Sequence, residues 1–182
     1  MMRELLLLRH AKSSWDDPSL PDHARPLNAR GRQAAVAMGV ALRARFAAPD
    51  LVLVSSARRT LQTLEAIGPL PETTRVTPLD ALYLASVGQL LETLAGVEED
   101  VRRVLLIGHN PGLHELALRL AGAPAMASGE DAAARLAEGF PTGALAAFTL
   151  AGPWWAVGED GGEDGARLAG FLAPRDLPEL AA

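Results

Sequence analysis

Two histidines and three arginines stand where this sequence could do chemistry, each close behind a run of aliphatic residues. Arg9-His10 closes the run Leu5-Leu6-Leu7-Leu8, Arg58-Arg59 follows Leu51-Val52-Leu53-Val54, and His109 follows Val104-Leu105-Leu106-Ile107. A guanidinium binds phosphate oxygens through paired N–H donors, and a neutral imidazole can attack phosphorus or move a proton. Two histidines beside arginines, in a chain without cysteine, make a poor metal site and a good phosphoryl site. The chemistry to look for is phosphoryl transfer.

The elements that must position these groups can be read from hydrophobic pattern. Four consecutive leucines with no polar alternation predict a strand buried on both faces. Such a strand carries Arg9 and His10 to the carboxyl edge of a parallel sheet, where open α/β sheets bind ligands. Leu51–Val54 and Arg103–Ile107 read as further buried strands, Arg75–Thr77 as a short edge strand and Ala144–Leu150 as another strand. Helical spacing appears in Arg32–Phe46 (Ala35, Met38, Leu42, Phe46), in Ser86–Leu94 (Val87, Leu90, Leu91, Leu94) and after Pro111 (Leu113, Leu116, Ala117, Leu120). A further helix starts after Ser55-Ser56, whose hydroxyls are expected to cap it. Arg58 and Arg59 then fall in its first turn, where cations oppose the helix dipole unless an anion sits between them and the free N–H groups.

Gly122 to Gly139 reads as a mobile connection with a short helix near Asp131–Ala137. Trp154-Trp155 and Arg167–Leu172 read as a closing hairpin with Gly158–Gly165 at its tip, and Pro174–Ala182 as a tail. Strands alternating with helices predict a three-layer α/β fold around a mostly parallel sheet, formed as a single domain over residues 1–182. Three strand ends then bring Arg9 and His10, Arg59, and His109 to one edge.

Composition narrows the function classes. With 49% hydrophobic and 21% charged residues the chain is an ordinary globular protein. A net charge of −5 and no extended basic patch argue against a nucleic-acid partner. No segment approaches the roughly 18 apolar residues of a membrane span. Without cysteine there are no disulfides, thiolate metal sites or cysteine nucleophiles, which suits a cytoplasmic location. No metal or cofactor is expected. Lys12, the only lysine, and Ser13 follow His10 closely in the irregular stretch Ala11–Pro26, and are candidates for binding an anionic substrate.

Arg9-His10-Ala11 resembles the Arg-His-Gly signature of the histidine phosphatase superfamily, the phosphoglycerate-mutase-like fold, with alanine at the third place. Ser55-Ser56-Ala57-Arg58-Arg59-Thr60-Leu61-Gln62-Thr63 is similar to the family's Ser-Pro-x-x-Arg-Ala-x-Gln-Thr pattern, which selects Arg59 over Arg58. Gly108-His109-Asn110-Pro111-Gly112 matches the family's second histidine, and with Arg25-Pro26-Leu27-Asn28-Ala29-Arg30-Gly31 looks most like the SixA-type phosphohistidine phosphatase branch. The resemblance implies catalysis by His10, Arg9, Arg59 and His109: His10 attacks phosphorus, water hydrolyses the phosphohistidine formed, and the other three hold the phosphoryl oxygens. The implied partner is a phosphorylated protein, with phosphohistidine as the group removed. The alternatives are a small-molecule phosphomonoesterase, a mutase, or a non-catalytic phosphate-binding module. Many relatives carry a general acid in a Leu-x-Glu setting, but here Leu82-Tyr83-Leu84 leaves a leucine there. Asp80 and Glu115 are the remaining candidate acids. An absent acid suits a phosphorylated imidazole better than an alkyl phosphate.

Overall fold

The first strand, β1 (Arg3–Arg9), divides its leucines between two cores: Leu5 and Leu7 enter one face of the sheet, Leu6 and Leu8 the other, and all four are buried. With both faces covered there is no solvent side, hence no polar alternation in the run. The computed structural model describes residues 2–127, 130–158 and 165–177. Around β1 it assembles β2 (Leu51–Ser55), β3 (Arg75–Leu79), β4 (Arg103–Gly108), β5 (Leu145–Leu150) and β6 (Ala166–Leu172), in the spatial order β3-β2-β4-β1-β5-β6. The pairs β1–β4, β2–β4 and β2–β3 are parallel, and β5 runs antiparallel to both its neighbours. The sheet is therefore mixed, with β5 alone reversed among the described strands.

Helices cover both faces, as a layered α/β fold requires. On the side of Leu6 and Leu8 lie α1 (Ala29–Arg45), through Ala35, Met38 and Leu42, and α2 (Arg58–Ala66), through Leu64 and the following Ile67. On the other lie α3 (Val87–Ala95), α4 (Gly112–Ala127) and α5 (Asp131–Glu138), through residues such as Leu90, Leu94, Leu116, Leu120 and Leu136.

Register sets the carboxyl edge. Arg9 pairs with Gly108 and Val54 with Ile107, so β1, β2 and β4 end level with one another. The His10 amide continues the ladder by donating to the Gly108 carbonyl at 3.1 Å.

Several local expectations change. Helix α1 begins at Ala29 rather than Arg32, because the Asn28 side chain caps it by accepting from the Gly31 amide at 2.8 Å. Ser55 and Ser56 do not cap α2: Ala57 holds that position without a side-chain bond, and the serine hydroxyls turn to His109 and His23. Most of the supposed connection from Gly122 is helical, with α4 running to Ala127 past a non-helical Gly122 (φ 71°, ψ 168°). Trp154-Trp155 lies in a 3-10 turn, where the buried Trp154 donates its indole N–H to the Val101 carbonyl at 2.8 Å; the hairpin pairs β5 with β6. Residues 159–164 of its expected tip, and 178–182 of the expected tail, lie outside the described residues. Among the described residues no helix is long and apolar enough to cross a membrane.

Gly31 ties the fold to the segment after His10. A Cβ there would stand 2.1 Å from the Lys12 carbonyl oxygen, which also accepts from the Asn28 amide at 3.0 Å. Gly31→Ala should therefore cost about 1–3 kcal/mol in urea denaturation and lower turnover by displacing the His10 loop. Gly170→Ala, with nothing within 4 Å of the added carbon, should leave stability near wild type.

Candidate active site

Three strand ends supply the site. The chain leaving β1 carries Arg9 and His10, the turn from β2 into α2 carries Ser55 and Arg59, and the turn from β4 into α4 carries His109 and Asn110. Helix phase separates the two neighbouring arginines: Arg58 is exposed on α2, while Arg59 is 3% exposed and reaches His10 and His109. The residues of α2 also hold this edge together. Thr63 Oγ1 accepts from the Ala11 amide at 3.0 Å and donates to the Arg59 carbonyl at 2.7 Å, and Gln62 Oε1 accepts from the Leu27 amide at 2.8 Å.

The hydrogen bonds fix both imidazole tautomers. His10 Nδ1 lies 2.7 Å from the Ala11 carbonyl, which can only accept, so Nδ1 bears the proton. His10 Nε2 is then the lone-pair nitrogen, and Arg59 Nε donates to it at 3.3 Å. His109 is oriented the other way. Arg59 Nη2 donates to its Nδ1 at 3.3 Å, so Nε2–H donates to Ser55 Oγ at 2.8 Å. The two rings stand 5.1 Å apart, centroid to centroid.

Arg59 reaches a third group. Its Nη1 donates to the Asp22 carbonyl at 2.7 Å and its Nη2 to Asp22 Oδ2 at 3.0 Å. Asp22 also receives Arg25 Nη1 at 2.8 Å and the Tyr83 hydroxyl at 2.6 Å. Arg9 donates through Nη1 to the Phe140 carbonyl at 2.9 Å, which also accepts from Asn110 Nδ2 at 2.9 Å. Arg9 Nε and Asn110 Oδ1 are buried without a partner among the described residues. Arg9, His10, Arg59 and His109 share one open cleft of about 500 Å³, with Asp22 on its wall.

Lys12 and Ser13 line the same cleft, but Ser13 Oγ already accepts from Arg25 Nη2 at 2.5 Å. The carboxylates of Asp80 and Glu115 do not line it. Asp80 is exposed at the start of a 3-10 turn, and Glu115 is exposed in the first turn of α4. Asp22 is the only carboxylate on the described lining. Among the described residues no three or more His, Cys, Asp and Glu side chains gather as a metal cluster would.

Known proteins share this fold. The family model of the histidine phosphatase superfamily, branch 1, matches residues 5–93. A Nakamurella multipartitia structure assigned as phosphohistidine phosphatase SixA is 31% identical, with 96% of this chain and 97% of that one covered and a TM-score of 0.81. The chain belongs to the histidine phosphatase superfamily. Within it, the protein histidine phosphatase SixA, solved with tungstate, aligns at 26% identity and TM-score 0.72 over 96% of this chain and 99% of that one. An uncharacterized Mycobacterium tuberculosis protein is 40% identical over 171 residues, covering 92% of this chain and all of the relative. This histidine phosphatase is of the SixA type.

Electrostatics set the protonation states of the site. Burial, with Arg59, Arg9 and Arg25 nearby, pushes His10 down to about 4, against the opposing bond to the Ala11 carbonyl. Burial, then His10 and Arg59, pushes His109 down to about 3. Both rings are thus neutral at physiological pH. The Tyr83 hydroxyl, together with Arg25 and Arg59, holds Asp22 at about 2, so it is ionised throughout. Burial and Arg59 lower Arg9 from its ordinary value.

Asp22 and Tyr83 escape sequence reading, as does the contact from Ser55 to His109. Asp22 sits in the irregular loop among other acids, and only the folded loop separates it from them. Tyr83 offered a faint signal: it is the only tyrosine, one residue before the position where relatives place the acid.

The buried histidines make stability depend on pH. As pH falls below about 6.5, the unfolded chain takes up protons on His10 and His109, while the folded chain refuses them until about 4 and 3. Their stabilisation is complete above that unfolded value and is lost progressively as pH falls through this window. Urea midpoints should drop between pH 6.5 and 4, and His10→Gln should lessen the slope by up to about 1.4 kcal/mol per pH unit.

Proposed function

We propose that this phosphatase removes phosphoryl groups from phosphohistidine in a protein substrate, through a covalent intermediate on Nε2 of His10. The observation that carries the reading is the state of His10: neutral, with Nδ1–H committed to the Ala11 carbonyl and the Nε2 lone pair left beside a buried guanidinium in an open cleft. That is an activated nucleophile, since the nitrogen needs no deprotonation before it attacks.

In this reading Arg9 and Arg59, both on the cleft lining, bind the phosphoryl oxygens through guanidinium N–H donors. His109 Nδ1 accepts from Arg59 Nη2. The negative charge of a phosphoryl group favours protonation there, converting Nδ1 into a further donor, while Ser55 continues to hold Nε2–H. Water then attacks the phosphoimidazole on His10 and releases inorganic phosphate. Lys12 and Ser13, near the opening, are assigned to substrate contact.

The acid question favours phosphohistidine over an alkyl ester. Expelling an alkoxide benefits strongly from a proton donor. Asp80 and Glu115 are outside the cleft, and Asp22 on its wall is ionised. A phosphoimidazole protonated on its far ring nitrogen leaves as neutral imidazole and needs no proton from the protein. The relation to the protein histidine phosphatase SixA supports the same choice.

Mixing the protein with a phosphohistidine peptide and quenching within milliseconds should place acid-labile phosphate on His10 by mass spectrometry. His10→Ala should show neither label nor turnover; intact turnover there would reject the proposed nucleophile. Arg59→Ala should lower kcat/KM by roughly 10²–10³.

A further inference from the structure

A permanent negative charge on the wall of a phosphoryl-binding cleft repels the group the cleft binds. Asp22 is nevertheless the one carboxylate on the described lining, and it stands among Arg9, Lys12, Arg25 and Arg59. Part of its role is structural, because it pairs with Arg59. Its outer geometry goes further. The Asp22 side chain is 43% exposed, whereas that of Arg59 is 4% exposed, so the carboxylate lies toward the opening and the guanidinium below it. Oδ2 receives both Arg59 Nη2 and the Tyr83 hydroxyl, but Oδ1 receives Arg25 Nη1 alone among the described residues. A carboxylate oxygen accepts two donors, so Oδ1 retains capacity for a further N–H from a group bound in the cleft that Asp22 lines.

We infer that Asp22 selects phosphorus–nitrogen substrates by accepting the far N–H of a protonated phosphoimidazole and holding that ring in its cationic, reactive form. The inference rests on the phosphohistidine reading above. The transfer balances without an added acid. The Nε2 lone pair of neutral His10 forms the new N–P bond as the substrate's P–N bond breaks. The electrons of the broken bond return to the departing ring, which leaves as neutral imidazole because its far nitrogen already holds a proton. The positive charge passes to the His10 ring, whose Nδ1–H remains on the Ala11 carbonyl. A phosphate ester carries no such cation, so for an ester Asp22 contributes only its repulsion and its hold on Arg59.

The groups facing Asp22 keep this arrangement stable across neutral pH. Arg25 and Arg59 are cationic, and Tyr83 is raised above its ordinary value by its bond to Asp22, so it stays protonated. His10 and His109, on the neighbouring strand ends, are neutral. His23, next to Asp22 in the chain, stands edge-on to Tyr83 with Nε2 3.0 Å from Ser56 Oγ. Protonation of His109 by a bound phosphoryl group is common to both substrates, so a titration seen with the phosphoimidazole alone belongs to the substrate's own ring.

The test compares kcat/KM for a phosphohistidine peptide and for p-nitrophenyl phosphate between pH 6 and 9, in wild type, Asp22→Asn and Tyr83→Phe, with folding checked by circular dichroism. Loosening Arg59 lowers both substrates alike, so the ratio isolates the charge. Asp22→Asn should reduce the peptide-to-ester ratio about tenfold and move the alkaline fall of the peptide rate about one pH unit lower. Tyr83→Phe, which keeps the carboxylate, should keep the ratio. Wild type alone gives a second reading: its alkaline fall should lie above the phosphoimidazole titration of the free peptide followed by NMR. Equal losses on both substrates in Asp22→Asn, an equal ratio loss in Tyr83→Phe, or coincidence of that fall with the free titration would each overturn the inference and leave the phosphohistidine reading standing. Hydrolysis of the ester without the peptide by wild type would overturn both.

Discussion

The Arg59 guanidinium is the interaction on which the site depends. One buried cation donates to His10 Nε2, to His109 Nδ1 and to Asp22. A charge at that depth is tolerable only when it is paired and its N–H groups are satisfied, so Asp22 is as much a condition for burying Arg59 as a feature of the cleft wall. The cation in turn works with burial to keep both imidazoles neutral. A neutral His10 keeps its lone pair, and a neutral His109 can gain a proton when an anion arrives. The same charge that draws a phosphoryl group thus keeps its acceptor nucleophilic.

Arg59 can hold this place because α2 is fastened at more than one point. Thr63 ties the helix to Ala11 and Gln62 ties it to Leu27, so α2 and the segment after His10 move as a unit. Gly31 brings α1 against the Lys12 carbonyl from the other side. These contacts lie outside the cleft, yet a shift of about 1 Å in any of them would lengthen the Arg59 bonds to both rings, and such displacements are costly for catalysis.

The parts of the molecule visible in the sequence are those governed by short-range periodicity. Leu5–Leu8 announced a doubly covered strand, and Arg9, His10 and His109 were legible because each sits at a strand end beside an aliphatic run. Choosing Arg59 over Arg58 required a spacing pattern, since local composition treats the two alike. Asp22 was hidden among Asp16 and Asp17 in a loop whose path is set by Arg25, Arg59 and Tyr83, all distant from one another or decided by tertiary contact. Ser55 and Ser56 looked like caps because serine commonly serves that way, but a buried histidine N–H competed for the Ser55 hydroxyl. Asp80 and Glu115 were near the motifs in sequence and off the cleft in space, which is what sequence proximity alone cannot distinguish.

Strand register converts these separate residues into one site. Arg9 pairs with Gly108, so the residues that follow, His10 and His109, emerge side by side from adjacent parallel strands. A slip of one residue would exchange Leu5 and Leu7 with Leu6 and Leu8 between the two cores and turn both histidine-bearing ends out of line. Because both faces of β1 are packed against helices, the hydrophobic pattern alone tolerates such a slip better than it would in a half-exposed strand. The polar end contacts remove that ambiguity. The His10 amide meets the Gly108 carbonyl, the Ala11 amide meets Thr63, and the His109 ring meets Ser55, each at a single register. The residues that form the site therefore also help specify the sheet that carries it, so their substitution is expected to act on folding and on chemistry together.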